Sequence, residues 1–163
     1  MAEVYLSIGS NIESRYQYIK KAVKEIIKDK SFKVEKCSLI YETDAWGKKD
    51  QSRFLNSVLK IRTRLKPENL LNRLKLIEKK CGRKKTGHWA EREIDLDILF
   101  YDDIIFKNGF LKIPHPGISK RNFVMVPMNE IAADFIHPVS GKTIGQLLKK
   151  SKDKLKVKIY PDN

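Results

Sequence analysis

Residues 94–101 are the segment that most constrains the fold, because they combine an apolar β-type run with two acids at alternate positions. Side chains on a strand alternate between its two faces, so the aliphatic side chains face a core while Asp95 and Asp97 face the opposite way. The Cα atoms of the two acids would lie roughly 6.5 Å apart. Two carboxylates at this spacing can hold one hard cation, or two ions roughly 4 Å apart, and magnesium is the candidate.

A solvated acidic face on an edge strand is the alternative interpretation of this pair. The run continues into Leu99, Phe100 and Tyr101, which favours a central strand. Burying a charged carboxylate beside a core costs free energy unless a counter-charge is nearby, and a bound metal ion would supply that charge.

Length and composition predict a single domain over residues 1–163, since 41% hydrophobic content is typical of a globular chain of this size. No apolar stretch reaches the length of a membrane span, and the N-terminus begins with a strand pattern rather than a signal peptide. We therefore expect a cytoplasmic protein with no membrane partner. Cys37 and Cys81 lack the spacing of a zinc site, so we expect two reduced core thiols.

The net charge of +14, from 34 Lys and Arg against 20 Asp and Glu, would attract polyanions. Most of the lysines are scattered as on a solvated surface. They are densest over residues 149–158, which is typical either of a nucleic-acid grip or of a solvated, partly mobile end.

The order of hydrophobic patterns predicts an α+β fold. A predicted strand over residues 3–8 is followed by a helix with a Ser14–Gln17 capping box. Two strands follow, over residues 32–42 and 54–65. A second helix begins at Pro67 and ends at Gly82, and the acid-bearing strand comes after it. This β-α-β-β-α-β order is that of a ferredoxin-like, mainly antiparallel sheet with both helices on one face and the other face open. A C-terminal hairpin and helix extension follows. The charged loops 44–53 and 82–91 are expected to act as lids that become protected from hydrogen exchange when ligands bind.

Basic residues are concentrated just before the acid pair. Arg83, Lys84, Lys85 and His88 lie in the preceding loop, and Arg92 lies three residues before Asp95. Polyphosphate chemistry requires both metal-binding acids and cations, although a surface charge run is the alternative. Residues 140–143 read Ser-Gly-Lys-Thr but lack the first glycine of a P-loop, so they are not assigned to phosphate binding.

A longer motif carries a family resemblance. His88-x-Ala90-Glu91-Arg92-x-x-Asp95-Leu96-Asp97-Ile98-Leu99 resembles the signature of the 6-hydroxymethyl-7,8-dihydropterin pyrophosphokinase family. Further blocks that resemble the family follow in its order: residues 5–11, 54–56, 82–83, 114–116 and 121–124. The resemblance implies transfer of pyrophosphate from ATP to the hydroxymethyl oxygen of the dihydropterin, with release of AMP, in folate biosynthesis.

The resemblance also implies the roles of individual residues. Asp95 and Asp97 would hold two magnesium ions, and Arg83 and Arg92 would join them as catalytic residues. The ATP-binding residues would be Glu78, Arg83, Lys85, Trp89, Arg92, Ile98, His115 and Arg121. Those for the pterin would be Thr43, Phe54, Asn56 and Phe123. From sequence alone, Glu78 could equally be a solvated helix residue, and two such Phe residues are more often core.

The chain departs from the family pattern at three places. Lys85 stands where members often carry a second arginine, Ala90-Glu91 replaces Gly-Pro, and Asp44-Ala45 replaces a proline-containing pair. Lysine cannot reproduce a bidentate guanidinium contact, which leaves the phosphate contacts of that loop open.

Two rival functions remain. In a nucleotidyltransferase the acid pair follows Gly-Ser closely, whereas Gly9-Ser10 is far from Asp95. A basic nucleic-acid-binding domain would explain the charge, but phosphate would repel the acid pair, so we do not expect nucleic acid as a partner.

Overall fold

The computed structural model describes residues 1–45, 50–85, 87 and 90–163. The elements within these residues are, in chain order, β1 (Ala2–Ser10), α1 (Arg15–Lys28), β2 (Phe32–Cys37), β3 (Tyr41–Thr43), β4 (Phe54–Thr63), α2 (Pro67–Lys80), β5 (Asp95–Tyr101), β6 (Phe106–Lys107), β7 (Lys112–Ile113), a 3₁₀ helix (Ile118–Lys120), α3 (Asn122–Ala132), α4 (Ile144–Lys149) and β8 (Lys158–Ile159). No helix among the described residues is long and apolar enough to span a membrane.

The main sheet is antiparallel and has the strand order β5-β1-β4-β3-β8, with β2 also paired to β4. This order confirms the predicted ferredoxin-like core. Because β4 and β5 both run antiparallel to β1, their N-terminal ends meet the C-terminal end of β1. In register, Gly9 of β1 lies opposite Asn56 of β4 on one side and Asp95 of β5 on the other.

One predicted strand, residues 32–42, is divided into β2 and β3. Between them the Ser38 hydroxyl accepts a hydrogen bond from the Val58 N–H at 2.9 Å, and the Leu39 N–H donates to Glu130 of α3 at 3.0 Å. Side-chain groups thus replace part of the backbone pairing, as Ser often does outside regular structure. The prediction of one continuous strand was wrong for this reason.

Helices α1 and α2 pack on one face of the sheet, as predicted. Helix α2 begins at Pro67 and is followed by Gly82 with a φ of +99°, a conformation that favours glycine. The predicted capping box at the start of α1 was wrong, because the Ser14 side chain makes no capping hydrogen bond. A complete capping box occurs instead at α4, between Thr143 and Gln146, so the P-loop-like residues serve as a helix start.

The other face of the sheet was predicted to be open, and this is correct only at one end. Helices α3 and α4 cover the remainder through a second apolar cluster that contains Leu99 and Phe100. Strand β5 was predicted to be central but is an edge strand of the sheet. It is nevertheless buried on both faces, because α2 packs on one side and the C-terminal extension on the other.

One further expectation was wrong. Cys81 is buried but Cys37, the last residue of β2, is exposed. The end of the lysine-rich tail joins the sheet: Lys158–Ile159 pairs with β3, and the Tyr160 N–H donates to the Ile40 carbonyl at 2.8 Å.

Candidate active site

A cavity opens at the end of the sheet where β1, β4 and β5 meet. Residues from β1, β3, β4, β5, the loops and the start of α3 line it, namely Ser7, Gly9, Thr43, Asp44, Gln51, Phe54, Asn56, Ala90, Arg92, Asp95, Asp97, Leu99, His115, Arg121, Phe123 and Val124. The cavity therefore brings together residues up to about 120 positions apart in sequence, including nine that the sequence predicted as site residues.

The two acids share one face of β5, as the alternation predicted. Asp95 lies opposite Gly9 of β1 and Asp97 opposite Ser7, and both line the cavity. The intervening Leu96 is fully buried on the helix side. The strand thus separates a core face from an acidic face.

The charge environments of the two acids differ. Arg83 and Arg92 each donate to one oxygen of Asp95 at 2.6 Å. Burial alone would raise the pKa of Asp95, but these two arginines outweigh it and hold the pKa below its ordinary value. Burial, followed by repulsion from Asp95, raises the pKa of Asp97 to about 7. The site therefore holds Asp95, whose charge is paired with two arginines, and Asp97, whose charge is compensated less strongly.

Glu78 lies behind the acid pair and not on the solvated surface that was its alternative reading. Its side chain is only 3% exposed, and it accepts hydrogen bonds from the Leu96 N–H at 2.8 Å and forms an ion pair with Arg83 at 3.0 Å. Burial raises its pKa despite these contacts. Arg83 also donates to the Ile94 carbonyl. Glu78 and this carbonyl together fix the guanidinium that neutralises Asp95. Glu78 and Arg83 do not line the cavity.

Asn11 holds the segment that carries Arg92. Its side-chain oxygen accepts from the Arg92 N–H at 2.8 Å, and its own N–H donates to the Arg92 carbonyl at 3.1 Å. Asn11 was not predicted as a site residue and appeared only within the family-like block of residues 5–11. That block was the available sequence signal for a role of Asn11. The structure gives the physical reason, since a buried Asn side chain after a strand requires hydrogen-bond partners.

The β3 and β4 side of the cavity has buried polar atoms suited to a ligand. Thr43 Oγ1 and Asn56 Nδ2 make no hydrogen bond with any described residue, although buried polar groups normally have partners. A Cβ at Gly9 would lie only 2.8 Å from Asn56 Oδ1, so glycine leaves room for the amide. Phe54 and Phe123 add aromatic rings to this region, which therefore matches a flat, polar-edged heterocycle.

His115 and Arg121 form the third wall. Burial and the charge of Arg121 lower the pKa of His115, which is therefore neutral near pH 7. Its Nδ1 accepts from the Gly117 N–H at 3.2 Å, so the proton of the neutral ring lies on Nε2 and that atom is a donor. The guanidinium of Arg121 packs so closely on Gly117 that a Cβ there would lie 2.8 Å from Arg121 Nε.

The remaining predicted ATP residues are placed differently. The Ile98 side chain is 2% exposed and packs in the core, so only its backbone could contact ATP. The Leu96 N–H points away from β1, toward Glu78. Residues two apart on a strand direct their backbone N–H and C=O groups the same way, so those of Ile98 also lie at the edge of β5 that does not pair with β1. Lys85 is exposed. Trp89, together with His88 and parts of the two predicted lid loops, lies outside the described residues.

Comparisons with known proteins point to one family. Residues 5–133 match the family described as 7,8-dihydro-6-hydroxymethylpterin-pyrophosphokinase. The chain is 44% identical to the 2-amino-4-hydroxy-6-hydroxymethyldihydropteridine pyrophosphokinase of Aquifex aeolicus, over 88% of this chain and 89% of that protein. It is 37% identical to the Haemophilus influenzae protein of the same description, over 99% of this chain and all of that protein.

The chain is also similar to parts of longer proteins. It is 43% identical to the folic acid synthesis protein fol1 of Pneumocystis carinii, over 92% of this chain and 20% of that protein. Among solved structures, a Plasmodium falciparum HPPK-DHPS variant superimposes with a TM-score of 0.73 at 16% identity, over 91% of this chain and 43% of that one. This structural likeness supports the fold.

The family match and the extent of the bacterial similarity decide the identity. The chain belongs to the 7,8-dihydro-6-hydroxymethylpterin-pyrophosphokinase family, and it is an enzyme of pyrophosphoryl transfer in folate biosynthesis.

Proposed function

We propose that this cavity binds ATP and 6-hydroxymethyl-7,8-dihydropterin side by side, with the acid pair at the triphosphate and the Thr43–Asn56 region at the pterin. The observation that carries this proposal is that both regions line one cavity. A pyrophosphoryl transfer requires its two reactants to be held in contact, and positioning supplies much of the rate.

Thr43 and Asn56 would bind the polar edge of the pterin. Their buried Oγ1 and Nδ2 atoms lack partners among the described residues, so a ligand that hydrogen-bonds to them removes a desolvation cost. Phe54 and Phe123 would pack on the flat faces of the ring, where an aromatic ligand gains dispersion and stacking.

Asp95 and Asp97 would hold magnesium, and we propose two ions. Among the described residues, no group of three or more His, Cys, Asp or Glu side chains is placed to hold a metal ion, so the chain offers a carboxylate pair and the triphosphate must supply further oxygen ligands. Hard carboxylate oxygens fit this cation, and the weaker compensation of the charge at Asp97 favours it. Magnesium, when bound, would neutralise the triphosphate and lower the pKa of the attacking hydroxyl.

Arg83 and Arg92 would have distinct tasks. Arg83 is held by Glu78, by Asp95 and by a backbone carbonyl, so it would stabilise the charge of the acid pair. Arg92 donates to Asp95 through Nη1, and a guanidinium has five N–H donors. Arg92 can therefore contact Asp95 and also stabilise charge that develops on the transferred group.

The outer ATP contacts would come from His115, Arg121 and Lys85. A neutral His115 with its proton on Nε2 can donate to a phosphate oxygen without adding charge, while Arg121 adds a cation on the same wall. Lys85, being exposed, would act as a screened point charge. ATP contacts by Trp89 and by the Ile98 backbone remain predictions.

The test is a reaction with purified protein, ATP, magnesium and 6-hydroxymethyl-7,8-dihydropterin, followed by AMP release and by ³¹P NMR of the pterin product. We expect AMP and the pterin diphosphate in equal amounts. An Asp97→Asn variant, matched by an Asp103→Asn variant at an exposed position beyond β5, should lose this activity. Release of phosphate or pyrophosphate from ATP in place of AMP would contradict the proposal.

The nucleic-acid-binding function has weaker support. A nucleic-acid-binding domain would use the exposed tail lysines, but the acid pair lies in the cavity and would repel phosphodiesters. A binding assay with single-stranded RNA over a salt titration should therefore show only weak, salt-sensitive binding.

We also propose that residues 1–163 act as one domain and that the protein is cytoplasmic. Both apolar clusters pack on the same sheet, which supports one cooperative unit. A single unfolding transition and recovery in the cytosolic fraction are the expected results.

A further inference from the structure

The C-terminal tail contacts the wall of the cavity through Asp153. The Asn122 N–H donates to Asp153 Oδ2 at 2.8 Å, and the Asn122 side-chain amide donates to the Asp153 carbonyl at 3.2 Å. Asn122 stands between Arg121 and Phe123, and both of these line the cavity. One tail residue therefore binds the segment that carries a cation and an aromatic ring of the site.

This contact serves as the cap of α3. The N-cap residue of that helix, Arg121, has an extended backbone and makes no capping hydrogen bond with its own side chain. The first N–H groups of a helix need acceptors, and a carboxylate there also interacts favourably with the helix dipole. Asp153 supplies that acceptor from 31 residues further along the chain, because a guanidinium such as that of Arg121 has no acceptor atom of its own.

Asp153 is itself held in place. Its Oδ1 accepts from the Leu155 N–H at 3.0 Å, and its N–H donates to Ser151 at 3.3 Å. Further on, the tail pairs with β3, the strand that carries Thr43. The tail thus connects the start of α3 with β3, two walls of the same cavity.

We propose that Asp153 is a positioning residue of the active site: through the Asn122 N–H it fixes the backbone from which Arg121 and Phe123 extend. The inference rests on the proposed roles of these two residues in binding ATP and pterin. Asp153 lies beyond residues 5–133, which the family match covers, and it lies outside the cavity lining.

The test compares Asp153→Ala with a matched cap variant, Thr143→Ala, which removes the capping acceptor of α4. Loss of either cap should lower the unfolding temperature by a similar amount. Asp153→Ala should also raise the KM for the dihydropterin, and its Kd in the presence of a non-hydrolysable ATP analogue, by about tenfold. Thr143→Ala should leave both constants unchanged.

A conservative variant adds a second readout. Asparagine has one side-chain acceptor oxygen where aspartate has two, and Asp153 uses both, for Asn122 and for Leu155. Asp153→Asn should therefore give constants between those of the parent and of Asp153→Ala. Equal KM and Kd values for Asp153→Ala and Thr143→Ala would overturn the proposal and leave Asp153 as a structural cap only.

Hydrogen exchange separates this inference from the proposed function. If the parent protein released no AMP, the proposed function would fail, and exchange would still test whether Asp153 fixes the backbone that carries Arg121 and Phe123. We expect faster exchange of the amides of residues 122–124 in Asp153→Ala than in Thr143→Ala. Unchanged exchange in these residues would overturn the inference whatever the activity.

Discussion

The two faces of β5 show how one strand can serve stability and chemistry separately. Leu96 and Ile98 pack against the helix layer and are at most 2% exposed, whereas Asp95 and Asp97 face the cavity. The core face gains free energy from burial. The cavity face carries a carboxylate with a raised pKa and, nearby, polar atoms without partners among the described residues. The face for which we propose ligand binding is therefore the face that departs from the local rules of stability.

The largest effect should come from Asp97→Asn. Loss of one charge of the acid pair should lower the rate of AMP release about a thousandfold, since a metal site supplies several kcal/mol to the transition state. At pH 8, where Asp97 is ionised, the variant should be as stable as the parent or more so, because a buried carboxylate beside Asp95 is removed.

Initial rates and thermal unfolding at pH 8 measure both quantities, with Asp103→Asn as the control for loss of one exposed charge. Near-normal turnover in a folded Asp97→Asn protein would end the proposal that Asp97 holds magnesium.

Leu96→Ala tests the other face of the same strand. Truncation of this buried side chain should lower the free energy of unfolding by about 2–5 kcal/mol, while kcat per folded molecule stays close to that of the parent. Urea unfolding with parallel rate measurements checks this. Leu76→Ala, at a 53% exposed position of α2, should change stability by only about 0.5 kcal/mol. A stable Leu96→Ala protein with lost turnover would show that the two faces are not separable.

Arg92→Ala should have the next largest effect. Its loss removes a guanidinium that contacts Asp95, so the single-turnover rate at saturating ATP should fall about 10- to 100-fold. Lys85→Ala, which removes an exposed charge, should weaken ATP binding only a few-fold, and less as salt rises. A larger single-turnover defect in Lys85→Ala than in Arg92→Ala would reverse the roles assigned to the two cations.

Gly9→Ala should have the smallest effect of the four. The new methyl group would lie 2.8 Å from Asn56 Oδ1, so the amide must move and the KM for the dihydropterin should rise about tenfold, by the loss of one hydrogen bond. Gly109→Ala is the control, since a Cβ there meets no described atom within 4 Å. Equal KM values for the two variants would remove Asn56 from the pterin site.

Much of the fold could be predicted because its signals are local. Alternation along residues 94–98 predicted the two faces of β5, and Pro67 and Gly82 predicted the limits of α2. Predictions failed where a local signal competed with a distant partner. The Ser38 and Leu39 contacts to β4 and α3 divided one predicted strand into two. The coverage of the second sheet face depended on α3 and α4, whose packing no short pattern indicates.

The site divides in the same way. Spacing and family resemblance predicted Asp95, Asp97, Arg92 and the four proposed pterin residues as a site, and all of them line one cavity. The hydrogen bonds that hold these residues in place could not be predicted, because they join residues that are far apart in the sequence. Asn11 binds the Arg92 backbone, and Asp153 caps α3 from 31 residues away.

The sequence by itself determined which side chains share a strand face, where helix α2 begins and ends, and which family the chemistry resembles, since each of these depends on residues close together in the chain. Only the tertiary structure decided that Glu78 is buried behind Arg83, that Asp95 and Asp97 have different pKa values, and that the lysine-rich tail reaches the active-site wall. Burial, charge pairing and capping depend on neighbours in space, and those neighbours are set by the packing of the whole sheet.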